Sequence, residues 1–160
     1  MTVDQDVSIR PALKSDLEAV HSLLTECHLP ISDVTAGSLA EFVVAEADGG
    51  IVGVAGVERH GPYGLLRSVA TSEAMRRRGI GGAVVDGAIG TARMRGLSDI
   101  YLLTTTADGY FPAFGFARID REAAPDEIKK SSQFSELCPS SAIVMRLENG
   151  PPLASAATSS

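Results

Sequence analysis

Apolar residues at Leu13, Leu17, Val20, Leu23 and Leu24 recur at helical spacing, which predicts an amphipathic helix reaching about Cys27. Ser15 and Asp16 supply helix-start chemistry, and Pro30 closes the segment. Ahead of it, residues 7–10 read as a short strand ended by Pro11, and residues 31–41 leave room for a shorter second helix. The pattern then becomes β-rich. Residues 42–45 and 51–57 flank Asp48-Gly49-Gly50, a hairpin turn whose residues tolerate positive φ. A second turn at His60-Gly61-Pro62 leads into a third strand over 63–71.

Helical spacing returns in Val84, Val85, Ala88, Ile89 and Ala92, so a helix is expected over 81–95 with Gly96 as its C-cap. A buried strand over 100–103 follows, carried to its end by Thr104, Thr105 and Thr106. A short helix is expected over 110–114 and a strand from Gly115 to Ile119. A helical turn over 125–130 and a last strand over 142–147 complete the pattern. This order defines an α/β domain on a mixed sheet.

With 160 residues, the length prior gives one domain, placed at 1–148, and a flexible small-residue tail at 149–160. Hydrophobic residues at 44% and charged residues at 21% exclude wholesale disorder. No uninterrupted apolar run approaches the roughly 20 residues of a membrane span. Residues 1–6 are acidic and polar where a secretory leader is basic and then apolar, so a cytoplasmic protein without a membrane partner is expected.

The net charge of −6 argues against nucleic acid as a partner. Its distribution is more informative. Between Arg67 and Arg95 stand six arginines against Glu73 and Asp86, a concentrated basic segment that suits a small anion. An RNA-binding reading of the same arginines lacks an aromatic platform. Cys27 and Cys138 are too few and too isolated for a disulfide framework, and no metal-binding spacing occurs. Cys27 beside His28 is either half a ligand set or, as free cysteines usually are, a small core residue.

The most informative stretch is Arg76-Arg77-Arg78-Gly79-Ile80-Gly81-Gly82, between a strand and a long helix. Backbone N–H groups at a helix N-terminus make an anion site, glycines let a phosphate approach the backbone, and arginines add charge and paired donors. No GxxxxGK[ST] string exists, and Gly79-Ile80-Gly81-Gly82-Ala83-Val84 ends in valine where a dinucleotide fingerprint needs glycine. A surface arginine cluster capping an amphipathic helix stays open as the plainer alternative.

Ser68-Val69-Ala70-Thr71, a short spacer and Arg76-x-x-Gly79-x-Gly81 resemble the acetyl-CoA motif of the GCN5-related N-acetyltransferase (GNAT) family. Thr104-x-x-Ala107-x-x-Tyr110-Phe111 followed by Gly115-Phe116 resembles a second family motif at the matching distance. Residues 102–106, 115–116 and the run from Pro125 through Ser132, Gln133 and Phe134 to Ala142 are similar to the arsenic-resistance branch, related to amino-acid acetyltransferases.

The resemblance implies a mostly antiparallel sheet whose middle strands, 63–71 and 100–105, splay to leave a cleft. It implies acetyl-CoA as co-substrate, with Val69, Ala70 and Thr71 lending backbone groups to its pantetheine arm. Arg76, Arg77, Arg78, Gly79, Ile80, Gly81 and Gly82 would hold its pyrophosphate, and a backbone N–H near Val69 its oxyanion. No metal is implied. The acceptor is expected to be a small-molecule amine, such as an amino acid or an analogue, with a homodimer left open. Arg67, Ser132 and Gln133 fall on the substrate side, Arg67 being either a carboxylate clamp or a solvent-facing strand residue. Glu58 and His60 are candidate bases. The aromatic pair stands reversed from the family order, so Tyr110 is either an acid that rotates in or a packed ring. Without that acid, a non-catalytic acyl-CoA-sensing domain is the alternative.

Overall fold

The computed structural model describes residues 7–29, 31–32, 34–47, 49–73, 79–104, 109–131 and 142–148. Seven strands form one sheet: β1 (Val7–Pro11), β2 (Phe42–Ala47), β3 (Gly50–His60), β4 (Tyr63–Thr71), β5 (Ile100–Thr104), β6 (Ala117–Ile119) and β7 (Ile143–Leu147). Their spatial order is β1-β2-β3-β4-β5-β7-β6. β1 with β2, β2 with β3, β5 with β7 and β6 with β7 run antiparallel, while β4 and β5 are parallel. The helices are α1 (Leu17–Glu26), α2 (Ile80–Met94) and α3 (Asp126–Lys129). This is the mixed, mostly antiparallel architecture expected. The ladder between β4 and β5 consists of Gly64 with Ile100 and Leu65 with Tyr101, although β4 runs on to Thr71.

The chain falls into two compact units, one of residues 1–57 and 67–89, the other of residues 58–66 and 90–160. In the first, Val20, Leu23 and Leu24 of α1 are buried with Phe42, Val44, Val54 and Ala70 from the strands, the apolar stripe doing what its spacing dictates. Leu13 departs from that stripe. It is 57% exposed, because it precedes the 3-10 turn Lys14–Asp16 and its backbone N–H donates to Asp16 Oδ2 at 2.7 Å.

α1 ends where its apolar spacing predicts, at about Cys27. Its last residue is Glu26, Cys27 caps it, and His28 adopts φ +62°, the left-handed turn-off. The second helix expected over 31–41 is a 3-10 turn, Ser38–Glu41. Close approach explains one glycine: a Cβ at Gly56 would lie 2.8 Å from the Phe42 ring.

Arg10 ties three segments of this unit together. It donates to Asp16 through Nη1 (2.8 Å) and Nη2 (3.1 Å), and to Glu46 through Nε (3.1 Å). The guanidinium holds the Asp16 carboxyl below the ordinary carboxylate range, against the opposing effect of burial.

In the second unit Leu65, Tyr101, Ala124, Ile128 and Val144 form the core, with Tyr63, Leu103 and Ile119 packed against it. The Tyr63 and Tyr101 rings meet edge to face at 5.9 Å. Burial and the neighbouring Asp99 charge push the Tyr101 hydroxyl up from its usual value, while Asp99 itself accepts from Arg146 Nε at 2.9 Å. α2 closes as its sequence predicts: Gly96 N–H bonds Arg93 O and Leu97 N–H bonds Ala92 O, the paired bonds of a Schellman cap. Gly115 stands outside β6. It caps the 3-10 turn Phe111–Phe114 at φ +101°, and the strand begins at Ala117.

Several expectations lie outside the described residues: residues 1–6, Pro30, Asp48, Arg76, Arg77, Arg78, Thr105, Thr106, Ala107, Ser132, Gln133, Cys138, Ser141 and 149–160.

Candidate functional site

The candidate site of the first unit begins on the last half of β4. Ser68 has φ +56° in mid-strand, a conformation that costs an ordinary residue roughly 1–2 kcal/mol and needs surrounding structure to hold it. Arg67 provides some of that hold, donating from Nε to Ser68 Oγ at 3.1 Å. Arg67 is only 4% exposed, which overturns its solvent-facing reading. The twist at Ser68 also breaks the regular alternation that would put Arg67 and Val69 on one face.

Beyond Ser68, Val69 and Thr71 are half-buried and Ala70 is buried. The end of α1 is fastened to this strand end. Cys27 Sγ donates to Thr71 O at 3.5 Å and Glu73 N–H donates to Glu26 Oε2 at 3.1 Å. Cys27 is thus half-buried against the core, close to the expectation for a free thiol.

α2 starts one residue after Gly79, whose φ of +80° demands glycine and whose Cβ direction is open space. Ala83 N–H donates to Gly79 O at 3.0 Å. The N–H groups of Ile80, Gly81 and Gly82 therefore lie in the first turn, where no preceding helical carbonyl reaches them. The strand, the glycine turn and the exposed helix start give an anion a place to meet backbone donors at the positive end of a helix dipole.

In the second unit, Glu58 and His60 near the end of β3 share a face. His60 Nε2 lies 2.7 Å from Glu58 Oε1, and both side chains are 20% exposed. Both are therefore mostly sheltered from solvent. Tyr110 is 45% exposed, so it is not the packed ring. Phe111 takes that place, buried against Phe116 at 5.9 Å, while Tyr110 lies edge-on to Phe111 (5.2 Å) and Phe114 (5.3 Å).

Sequence reasoning brought Glu58 and His60 into view separately, and their i, i+2 spacing on a strand was the signal that they face each other. It missed the twist at Ser68, for which serine carries no signal, and the Cys27–Thr71 bond.

Fold, sheet order and the strand–glycine turn–helix arrangement are those of the GNAT class. The sequence pattern of the acetyltransferase (GNAT) domain matches residues 38–118, and the chain belongs to this family. An uncharacterized N-acetyltransferase, CT2212, of Chlorobaculum tepidum is 28% identical over 91 residues, which are 56% of this chain and 58% of that protein. The match thus spans less than two thirds of the relative's length.

Among solved structures, N-acetylglutamate synthase from Neisseria gonorrhoeae, complexed with coenzyme A and N-acetyl-glutamate, has the same fold. Its TM-score is 0.80 at 21% identity, over 92% of this chain and 36% of that one. Rv2747 from Mycobacterium tuberculosis, in complex with CoA and NLQ, gives a TM-score of 0.74 at 25% identity, over 88% and 98% of the two chains.

Proposed function

We propose that this protein transfers the acetyl group of acetyl-CoA to the amine of a small molecule, an amino acid or an amino-acid analogue, by direct attack in a ternary complex. The observation that carries the reading is the succession of Ser68-strained strand, Gly79 turn and open α2 start in a chain of the GNAT family. In this reading Val69, Ala70 and Thr71 pair with the pantetheine arm through backbone groups. The N–H groups of Gly79, Ile80, Gly81 and Gly82 receive the pyrophosphate, with Arg76, Arg77 and Arg78 supplying charge.

Coenzyme A in the Mycobacterium tuberculosis neighbour supports acetyl-CoA as co-substrate. Holding amine and thioester together supplies several kcal/mol of the barrier by itself. The Glu58–His60 pair stands on the base side and Tyr110 on the acid side. Arg67 would meet an acceptor carboxylate, with Ser132 and Gln133 completing the acceptor site. The run from Pro125 to Ala142 favours the arsenic-resistance branch within the family.

The second reading, an acyl-CoA-sensing domain without turnover, is favoured by Phe111, buried where many family members carry the acid. One experiment separates them: CoA release measured over a panel of amino acids, amino-acid analogues and polyamines, beside calorimetric titration with acetyl-CoA. Amine-dependent release is the expected result. Acetyl-CoA binding with no release over the panel supports the sensing domain instead, and no binding removes both readings.

A further inference from the structure

Val69, Ala70 and Thr71, assigned above to the pantetheine arm, are aimed by what holds the chain on either side of them. Downstream, the strand end is pinned three times. Ser72 N–H donates to Val52 O at 2.9 Å, Glu73 N–H to Glu26 Oε2 at 3.1 Å, and Cys27 Sγ to Thr71 O at 3.5 Å. Upstream stands the left-handed Ser68, at φ +56°. The ladder between β4 and β5 is already over at Leu65.

Serine has no preference for that conformation. Glycine takes positive φ freely, whereas a residue with a Cβ populates it about 5- to 30-fold less readily. Arg67 supplies what the serine lacks. It is 4% exposed, and its Nε donates to Ser68 Oγ at 3.1 Å. On a regular strand neighbouring side chains point to opposite faces, and the twist brings these two within reach of each other. The bond and the conformation therefore stand or fall together. The guanidinium makes a firm anchor, because its planar fork keeps a fixed geometry and a buried charge is costly to leave unpaired.

We propose that Arg67 is a positioning residue for acetyl-CoA: by holding Ser68 left-handed it sets the direction in which Val69, Ala70 and Thr71 present their backbone groups. The inference rests on the acetyltransferase reading above. With the downstream end pinned, the turn at Ser68 is the remaining determinant of how the three residues between are aimed. Without the Arg67 bond, Ser68 relaxes toward ordinary extended backbone, and the stretch presents its N–H and carbonyl groups in other directions.

The test uses the full chain and titrates acetyl-CoA by calorimetry with no acceptor present, which keeps this role apart from any meeting of Arg67 with a carboxylate. Arg67→Met should weaken acetyl-CoA binding by about 5- to 30-fold. Made in a Ser68→Gly background, where the left-handed turn carries no penalty, the same change should weaken it by less than about threefold. If Arg67 only supported the fold, Ser68→Gly would have no means of restoring cofactor affinity. Ser68→Ala removes the same hydrogen bond from its other end and keeps the penalty, so it should bind acetyl-CoA about 5- to 30-fold more weakly than Ser68→Gly.

Wild-type binding retained within about threefold by Arg67→Met overturns the positioning role alone, and so do equal losses in the two backgrounds. Where Arg67→Met does not fold, equal affinities of Ser68→Ala and Ser68→Gly overturn it. A wild type that binds no acetyl-CoA removes the acetyltransferase reading, and the positioning role with it.

Discussion

Arg10 and Asp16 meet through two nearly parallel hydrogen bonds, Nη1 to Oδ2 at 2.8 Å and Nη2 to Oδ1 at 3.1 Å. The pair pins the 3-10 turn ahead of α1 to the end of β1, and its carboxylate also receives Leu13 N–H. Three donors on one mostly buried carboxylate make the site sensitive to protonation.

The Asp16 carboxyl titrates lower in the folded chain than in the unfolded one. Its contribution is therefore fully present above the unfolded value, about 3.9, and is lost as pH falls through the lower folded one. Asp16→Asn should cost about 1.5–3 kcal/mol at neutral pH. It should also flatten the acid limb of a Tm-against-pH curve. Equal acid slopes for wild type and variant, measured by circular dichroism melting, would contradict the assignment.

Gly81 lies in the first turn of α2. Gly81→Glu places a carboxylate against the donors proposed for the pyrophosphate and should abolish acetyl-CoA binding in a protein that still melts cooperatively. Calorimetric titration checks this, and undiminished affinity in the folded variant removes the loop from the cofactor site.

Arg67 is buried and bonded to Ser68, so Arg67→Ala will lower stability whatever else it does. A ratio cancels that effect. If Arg67 also meets an acceptor carboxylate, its loss costs about 1.5–3 kcal/mol, or roughly 10- to 150-fold in kcat/KM, for a carboxylate acceptor but not for the corresponding amide. Equal losses for both acceptors leave Arg67 as the support of the Ser68 twist alone.

Gly56 offers a packing test independent of function. A Cβ there would stand 2.8 Å from Phe42, so Gly56→Ala should destabilise by about 1–3 kcal/mol through overpacking. Adding Phe42→Leu should recover part of the loss, the non-additivity expected of touching residues. Chemical denaturation of the two single variants and the double variant reads it directly.

The order of elements was legible because each carried its own period or its own turn chemistry. The apolar runs of β2 and β3, the glycine turn at Gly61 and the cap at Gly96 act over a few residues. What failed to read out depends on partners far along the chain. Arg10 finds Glu46 only through the register of β1 on β2, where Arg10 stands opposite Val44 and Glu46 lies two residues along on the same face. Leu13 fits the helical stripe but falls on the residue before the turn.

At the candidate site, the glycine turn and the Glu58–His60 spacing were visible in advance. The strain at Ser68 was not, because tertiary packing imposes it on a residue with no left-handed preference. The exchange of roles between Tyr110 and Phe111 was visible as an inverted order, but which ring would be buried required the packing against Phe116.

The edge-to-face meeting of Tyr63 with Tyr101 also decides what light can report about this molecule. The chain has no tryptophan and three tyrosines, and all three belong to the unit of residues 58–66 and 90–160. Intrinsic emission therefore watches that unit alone, and the other is optically silent. Alkaline titration of the ultraviolet absorbance should show Tyr101 ionising above the ordinary phenol value, its hydroxyl pushed upward by burial and by Asp99. A tryptophan introduced at half-buried Leu17, packed against the core of the first unit, would give it a colour of its own.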